Sequence, residues 1–411
     1  MSLVARWESA AHLLADHRDV LEGRPDEGDA PLALTARGWA EWLLRLSDEA
    51  LESIEASGHD AAWPVDVPAG LRALIDVARV IAEAAREGGG AGGRGRGGES
   101  EGGGARGARA ARRGETPRKR TQIEAFAGVV APFAAAAKRV IDVGSGHGHL
   151  TRDIAERIAV PVIGLERDVA LAERARELSP RASPAFAITD VLSDGLSLRV
   201  DDLVIGLHAC GELGDAMVES AARAGSSVVL VGCCLQKRRA ASRAPLCDSS
   251  GLADRLDLPR ALLGLSNLSA GDDGVEATRA ENLAARERRL ALHRLLRDAV
   301  GELRLGAEIE GLNRRAAHGE LASLVSRAFA LRGLDAPAAS ALASAATWAK
   351  QHHARTRRLA LPRSLLARPL EVFVLLDRAL HLERHGFTVG TVELFPTAVS
   401  ARNLALLASR Q

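Results

Sequence analysis

Tyrosine is absent from this 411-residue chain, and only four of its 54 basic side chains are lysine. The skew towards arginine is the kind a GC-rich genome produces, so arginine abundance by itself does not argue for a nucleic-acid partner. Four cysteines are too few for a disulfide framework. No uncharged apolar run reaches the length of a membrane span, which argues against a transmembrane helix. The opening stretch, MSLVARWESAAHLLADHRDV, is interrupted by charges and has neither an apolar signal region nor a small-residue cleavage site, so a cytoplasmic location is expected. A strong charge imbalance is also missing. The net charge of +1 leaves the molecule as a whole uncommitted to nucleic acid or acidic membrane. What is present is apolar: 47% of the chain is hydrophobic, enough for two or three domains with a substantial core.

Residues 1–87 read as helices. ALTARGWAEWLLRLSDEALESIEA and PAGLRALIDVARVIAEAAR space their apolar residues three and four apart. In residues 88–107, 12 of 20 positions are glycine. Such a segment cannot bury enough apolar surface to offset its chain entropy, and 88–115 is expected to be a disordered linker rich in Gly and Arg. From 116 short apolar runs recur, in RVIDVGS, VPVIGLER, PAFAITDV, DDLVIGLHAC and SSVVLVGCC, the earlier ones separated by helix-like stretches. Near-continuous apolar strands alternating with helices imply a parallel sheet covered on both faces. Residues 245–363 look helical, and the strand pattern returns in FTVGTVELF and RNLALLAS. The expected fold is α/β. One sheet domain spans 116–244 plus 364–411, with a helical N-terminal region and a helical insertion over 245–363.

The stretch RVIDVGSGHGHLTRDI holds Gly144, Gly146 and Gly148 at alternate positions behind an acid, Asp142. No Gly-Lys-Ser/Thr follows, so this is not a triphosphate loop. A dinucleotide fingerprint would place its third glycine at 149, which is His149. In a doubly wound sheet the ligand lies beyond the carboxyl ends of the strands. Three further segments end there. The first carries Glu166, twenty residues after Gly146, at a spacing suited to accept both hydroxyls of an adenosine ribose. The second carries Asp190, suited to accept from an adenine amino group. The third, LHACG, carries His208, Cys210 and Gly211. A strand-end acid alone is often no more than a helix cap. The glycine turn and two acids in register on successive strands together point to an adenosine ligand.

These segments, with LHACGELGD, TPRKRTQIEAF, VGCCLQK and the closing LLDRALHLERHGFTVGTVELFPTAVSARNLALLAS, resemble the S-adenosylmethionine-dependent methyltransferases. The likeness is to the branch of methyltransferase-like protein 25 and its relative with an rRNA adenine dimethylase domain. It implies a Rossmann-like class I methyltransferase fold with S-adenosyl-L-methionine as cofactor. Gly144, Gly146 and Gly148 would form the cofactor turn, with Asp142 supporting that loop and the methionine amino end. Glu166 would hold the ribose and Asp190 the adenine. Because this cofactor has no phosphate, the turn can spare the third glycine.

Methyl transfer needs a base only where the acceptor must lose a proton, and His208 is the candidate. A histidine bonded within the fold is the competing reading. The tRNA ribose methyltransferases have similar His-x-Cys-Gly and Cys-Cys elements, which favours a position near substrate. Adenine N-methylation is disfavoured, because LHACG stands where such enzymes place Asn/Asp-Pro-Pro-aromatic. Cys210, Cys233 and Cys234 read as small core residues. No metal is expected, since no second Cys-x-x-Cys or tight His cluster completes a zinc set, and His352 and His353 lie in a helical stretch. The helical additions and the basic run from Arg106 to Arg120 suggest a macromolecular acceptor, RNA slightly ahead of protein. The competing class is a non-catalytic adenosine-cofactor-binding or RNA-binding module of the same fold. An NAD-type oxidoreductase is disfavoured by His149. Oligomeric state is not legible.

Overall fold

The computed structural model describes residues 1–25, 29–84, 116–179, 184–247, 252, 254–269, 277–313, 315–397 and 399–410. The stretch expected to be a linker, 88–115, lies outside them. Contacts divide the chain into two units. One comprises Met1–Leu21, Leu74–Ala270 and Leu365–Gln411, the other Glu22–Ala73 and Gly271–Ser364. No helix among the described residues is long and apolar enough to cross a membrane.

The first unit holds the sheet. Its strands are β1 (Arg139–Val143), β2 (Val162–Glu166), β3 (Ala185–Ile188), β4 (Asp202–Ala209), β5 (Ser227–Gly232), β6 (Phe387–Glu393) and β7 (Leu404–Arg410). Each coincides with one of the apolar runs read from the sequence. They lie in the order β3-β2-β1-β4-β5-β7-β6. The first five are parallel; β7 runs antiparallel to both β5 and β6. This is the expected mostly parallel, Rossmann-like α/β sheet, and its order reverses between β1 and β4, where a ligand crevice opens.

Both faces of the sheet are covered, which is why the strands read as unbroken apolar runs. On one face Ile123, Phe126 and Val130 of the helix Pro117–Ala134 meet Val140, Leu203, Ile205 and Val229. Helix His149–Arg157 adds Leu150 and Ile154. Along β4 the residues between, Val204 and Gly206, point the other way. A methyl group on Gly206 would meet Met217 Cε at 2.8 Å, so glycine there lets the helix Glu212–Ala224 lie close. Helix Leu3–Asp16, capped by the Ser2 hydroxyl, packs here as well, with Trp7 against Phe373 at 5.7 Å between ring centroids.

A buried charge network ties the C-terminal helix Ala367–Arg384 to the helix Glu212–Ala224 and to the segment after β5. Asp215 accepts from Arg238 at 2.7 Å, from Arg378 at 2.9 Å and from Arg243 at 3.1 Å. Asp377 accepts from Arg243 at 2.7 Å and from the backbone of Leu246 and Cys247. Burial pushes the Asp215 carboxyl up, but the Arg243 and Arg378 guanidiniums outweigh it and hold the group well below the usual carboxylate range. Removing one member of such a network typically costs about 3–5 kcal/mol, because the remaining charges stay buried without a partner.

The second unit is helical. ALTARGWAEWLLRLSDEALESIEA is not one helix but Leu32–Ala36, Ala40–Leu44 and Asp48–Ser57. Gly38, at φ +68°, breaks the first, and the Ser47 hydroxyl caps the last. Helix Arg279–Val300 opens on a capping box between Thr278 and Glu281. Its Leu292 and Leu296 pack with Leu324, Val325 and Phe329 of Leu321–Ala330 and with Ala345 and Ala349.

Candidate active site

At the carboxyl end of β1 the chain turns through Gly144 (φ +75°), Gly146 (φ +54°) and Gly148 (φ +70°) into helix His149–Arg157. Left-handed backbone costs a residue with a Cβ about 1–2 kcal/mol, so each of the three positions favours glycine. The loop is pinned to β2: the amides of Gly144 and Ser145 both donate to the Leu165 carbonyl, at 2.9 and 3.0 Å. Arg152, buried beneath the loop, donates to the His147 carbonyl at 2.9 Å and reaches Ser179 at 3.3 Å. Nothing in the sequence pattern marks Arg152 for this role, since it sits on a helix face that reads as polar.

The loop floors a cleft of about 330 Å³ lined by Thr116, Arg118, Lys119, Gln122, Asp142, Gly144, Ser145, Gly146, His147, Leu207 and His208, among others. Among the described residues beyond the chain neighbours, a Cβ on Gly146 would meet nothing within 4 Å, and one on Gly144 only Leu213, at 3.8 Å. Ser145 Oγ is buried in this lining with no hydrogen-bond partner among the described residues. A buried hydroxyl without a partner beside open glycine Cα atoms suits a polar ligand lying along the loop. Gly148 differs from the other two: a Cβ there would strike the Phe186 ring at 2.5 Å, so its glycine serves packing as well as the turn.

Asp142 is buried and accepts from Thr151 Oγ1 at 2.7 Å. Burial pushes its carboxyl up to about 6, against the hydroxyl's opposing hydrogen bond and with help from the Glu166 charge. The group therefore destabilises the fold when it ionises without a compensating positive charge. A carboxyl raised on folding from 3.8 to about 6 costs nothing below 3.8 and its full amount above about 6. Asp142→Asn keeps an acceptor for Thr151 and removes the charge. It is expected to stabilise the ligand-free protein by about 1–3 kcal/mol at neutral pH, with the gain vanishing below the unfolded-state pKa. Denaturant melts across that pH range test this, and a less stable variant at neutral pH refutes it.

Glu166 ends β2 with both oxygens on backbone amides: Gly146 N–H donates to Oε2 at 2.9 Å and Asp168 N–H to Oε1 at 3.0 Å. It buttresses the glycine loop from outside the cleft lining. Asp190 caps the short helix Val191–Asp194 through the Leu192 amide and pairs with Arg239 at 2.5 Å. The structure thus brings Asp142, Gly144, Gly146 and His208 together around one cleft. Glu166 stands one hydrogen bond behind it, and Gly148 and Asp190 lie outside its lining. Arg239 follows β5, and no spacing rule connects it to Asp190.

Among the described residues His208 alone has positive φ without being glycine, at +69°. The β4–β5 register slips between Leu207 and Ala209, and this bulge carries the His208 ring into the cleft. Its Nε2 lies 3.2 Å from Gln122 Oε1. That oxygen can only accept, so Nε2 carries the proton and Nδ1 the lone pair. Burial, followed by the Arg118, Arg402 and Lys119 charges, lowers the imidazole to about 4.

The segment after His208 is held by glycines whose partners are distant in sequence. A Cβ on Gly211 would strike the Lys237 carbonyl oxygen at 2.2 Å. Cβ atoms on Gly214 and Gly232 would meet the Arg378 guanidinium at 2.7 and 3.0 Å, and Arg378 donates to the Gly211 carbonyl at 2.8 Å. The spacing in LHACGELGD and VGCC therefore makes room for one arginine from the C-terminal helix.

Residues 118–241 match a family described as a methyltransferase domain. Several solved structures are similar. A sugar N-methyltransferase from a Streptoalloteichus species is 22% identical, over 33% of this chain and 60% of that one, at a TM-score of 0.24. The magnesium protoporphyrin IX methyltransferase of Synechocystis, crystallised with bound SAH, is 21% identical over 30% of this chain and 61% of that one, also at 0.24. A TehB-like SAM-dependent methyltransferase from Corynebacterium glutamicum is 16% identical over 32% and 71%, at 0.23. This chain thus spans about 60% of the length of the first two. The matched residues, 118–241, carry strands β1–β5 of the Rossmann-like sheet together with the glycine loop and His208.

Proposed function

We propose that the chain transfers a methyl group from S-adenosylmethionine to a macromolecular acceptor, RNA, in the manner of the branch containing methyltransferase-like protein 25. When bound, the cofactor supplies a methyl group on a sulfonium, which is already a good leaving group. The protein's task is then to hold donor and acceptor in line and to exclude competing nucleophiles. Asp142 would face the cofactor's ammonium, Gly144 and Gly146 would let its chain lie on the backbone, and Ser145 Oγ would gain a partner. Glu166 and Asp190 complete the reading as the ribose and adenine acceptors, with Asp190 exchanging its pairing with Arg239 for the ligand. His208 would take the proton of the acceptor group through Nδ1.

The observation that carries the acceptor class is the sharing of one cleft. Arg118 and Lys119, the described end of the basic run, line it together with the glycine loop and His208. A phosphate gripped there sits next to the reacting centre, as an RNA acceptor requires. The experiment is transfer of labelled methyl from S-adenosylmethionine into fractionated lysate. Label is expected to be RNase-sensitive, and activity is expected to fall steeply with salt. Neutralising Arg118, Lys119 and Arg120 should flatten the log–log salt slope by about 0.7 per lost contact on single-stranded RNA. Label removed by protease would assign a protein acceptor, and label confined to small molecules would reject both. Cofactor binding with no transfer to any fraction would identify a non-catalytic module.

A further inference from the structure

The three cysteines near His208 are not dispersed in the apolar core. Cys210 ends the β4 segment and Cys233 and Cys234 follow β5, so neighbouring parallel strands deliver them to one point. Their three Sγ atoms all lie within 4.8 Å of one another. Cys210 and Cys233 are 2.7 Å apart, and both donate to the His208 carbonyl, at 3.2 and 3.4 Å. Cys233 is buried, while Cys210 and Cys234 are half-buried, which leaves an approach for an ion. We propose that Cys210, Cys233 and Cys234 form a tri-thiolate site for a thiophilic divalent cation, Zn²⁺ by the character of its donors.

Sulfur ligands select zinc and other soft cations over magnesium or calcium. Zinc–sulfur bonds of about 2.3 Å place ligand sulfurs roughly 3.8 Å apart in a tetrahedron, a span this cluster reaches with small rotations. A disulfide would need two sulfurs, and the convergence of a third is what a metal site requires. Charge also balances. Zn²⁺ with three thiolates carries a net charge of −1, and the Lys237 ammonium acts electrostatically on Cys210 from the loop after β5. Three protein ligands leave the fourth position open, and the bound ion would tie the ends of β4 and β5 together beneath His208. On binding, each thiol loses its proton to solvent, and no electron changes hands.

The test uses the full chain, reduced and stripped with chelator, and Co²⁺ as a spectroscopic probe. One equivalent should give a sulfur-to-cobalt charge-transfer band and intense tetrahedral visible bands, both abolished by Zn²⁺. Cys210→Ser, Cys233→Ser and Cys234→Ser should each weaken Zn²⁺ by on the order of 100-fold, since losing a ligand exceeds the loss of an outer-shell partner. Cys247→Ser, a buried thiol facing Asp377, should leave affinity unchanged. A measurement on the unaltered protein guards against variants that fail to fold. Zn²⁺ should protect Cys210, Cys233 and Cys234 from alkylation in peptide mapping. No charge-transfer band, or three cysteines equally reactive with and without Zn²⁺, overturns the site. A Cys210–Cys233 disulfide formed under peroxide in protein that binds no metal would overturn it in favour of a redox pair.

Discussion

Gly146→Leu is expected to abolish binding of S-adenosylmethionine and S-adenosylhomocysteine while leaving the domain folded. The backbone there sits at φ +54°, so leucine incurs a strain of about 1–2 kcal/mol. That is a modest fraction of a typical domain's stability. Among the described residues, none beyond the chain neighbours has a heavy atom within 4 Å of a Cβ built there, so the new side chain starts into open space at the cleft lining. The same substitution at Gly148 would fail for a different reason, because it strikes the Phe186 ring. Gly146 thus separates occupancy of the cleft from damage to the core. Calorimetric titration with S-adenosylhomocysteine, alongside a thermal melt, makes the measurement. Affinity preserved in a folded Gly146→Leu protein would remove the glycine loop from the cofactor site.

His208→Ala is expected to lower methyl transfer by on the order of 100-fold or more, with cofactor affinity changed no more than a few-fold. The expectation rests on position. The β4–β5 bulge delivers the ring into the cleft, and the bond to Gln122 leaves Nδ1 with the lone pair. The backbone strain supplies a control. At φ +69° alanine keeps the strain of the histidine while glycine relieves it, so His208→Gly should be more stable than His208→Ala by about 1 kcal/mol and equally slow. A merely structural histidine predicts otherwise: transfer would follow stability, and the glycine variant would recover part of it. Single-turnover rates with saturating donor, set against denaturant midpoints, decide between the two.

Much of the sheet was legible because strand formation leaves a local mark. All seven apolar runs became strands, and the glycine turn sits where β1 meets its helix. The helix Arg279–Val300 falls within 245–363, the stretch that reads as helical, while its capping box emerged only in the structure. Helix breaks were harder to read. Gly38 and Ser47 divide a segment whose apolar period runs on across both, because periodicity reports a buried face and not continuity of the backbone. The sharing of helices between the two units was not legible either. Leu3–Asp16 joins the sheet through Trp7 on Phe373, a contact made across more than three hundred residues of chain.

By itself the sequence determined the elements, the strand ends that carry polar groups, and the glycine loop, since each of these is set by neighbours a few residues away. Only the tertiary structure decided which of those groups meet. It put Asp142, Ser145, Gly146 and His208 on one cleft, set Glu166 behind the loop and paired Asp190 with Arg239. It threaded Arg378 between Gly211, Gly214 and Gly232, and converted three cysteines that read as core fillers into a single cluster. The reason is physical. Strand pairing and helix packing bring together residues whose separation along the chain bears no relation to their separation in space, and chemistry depends on the second distance.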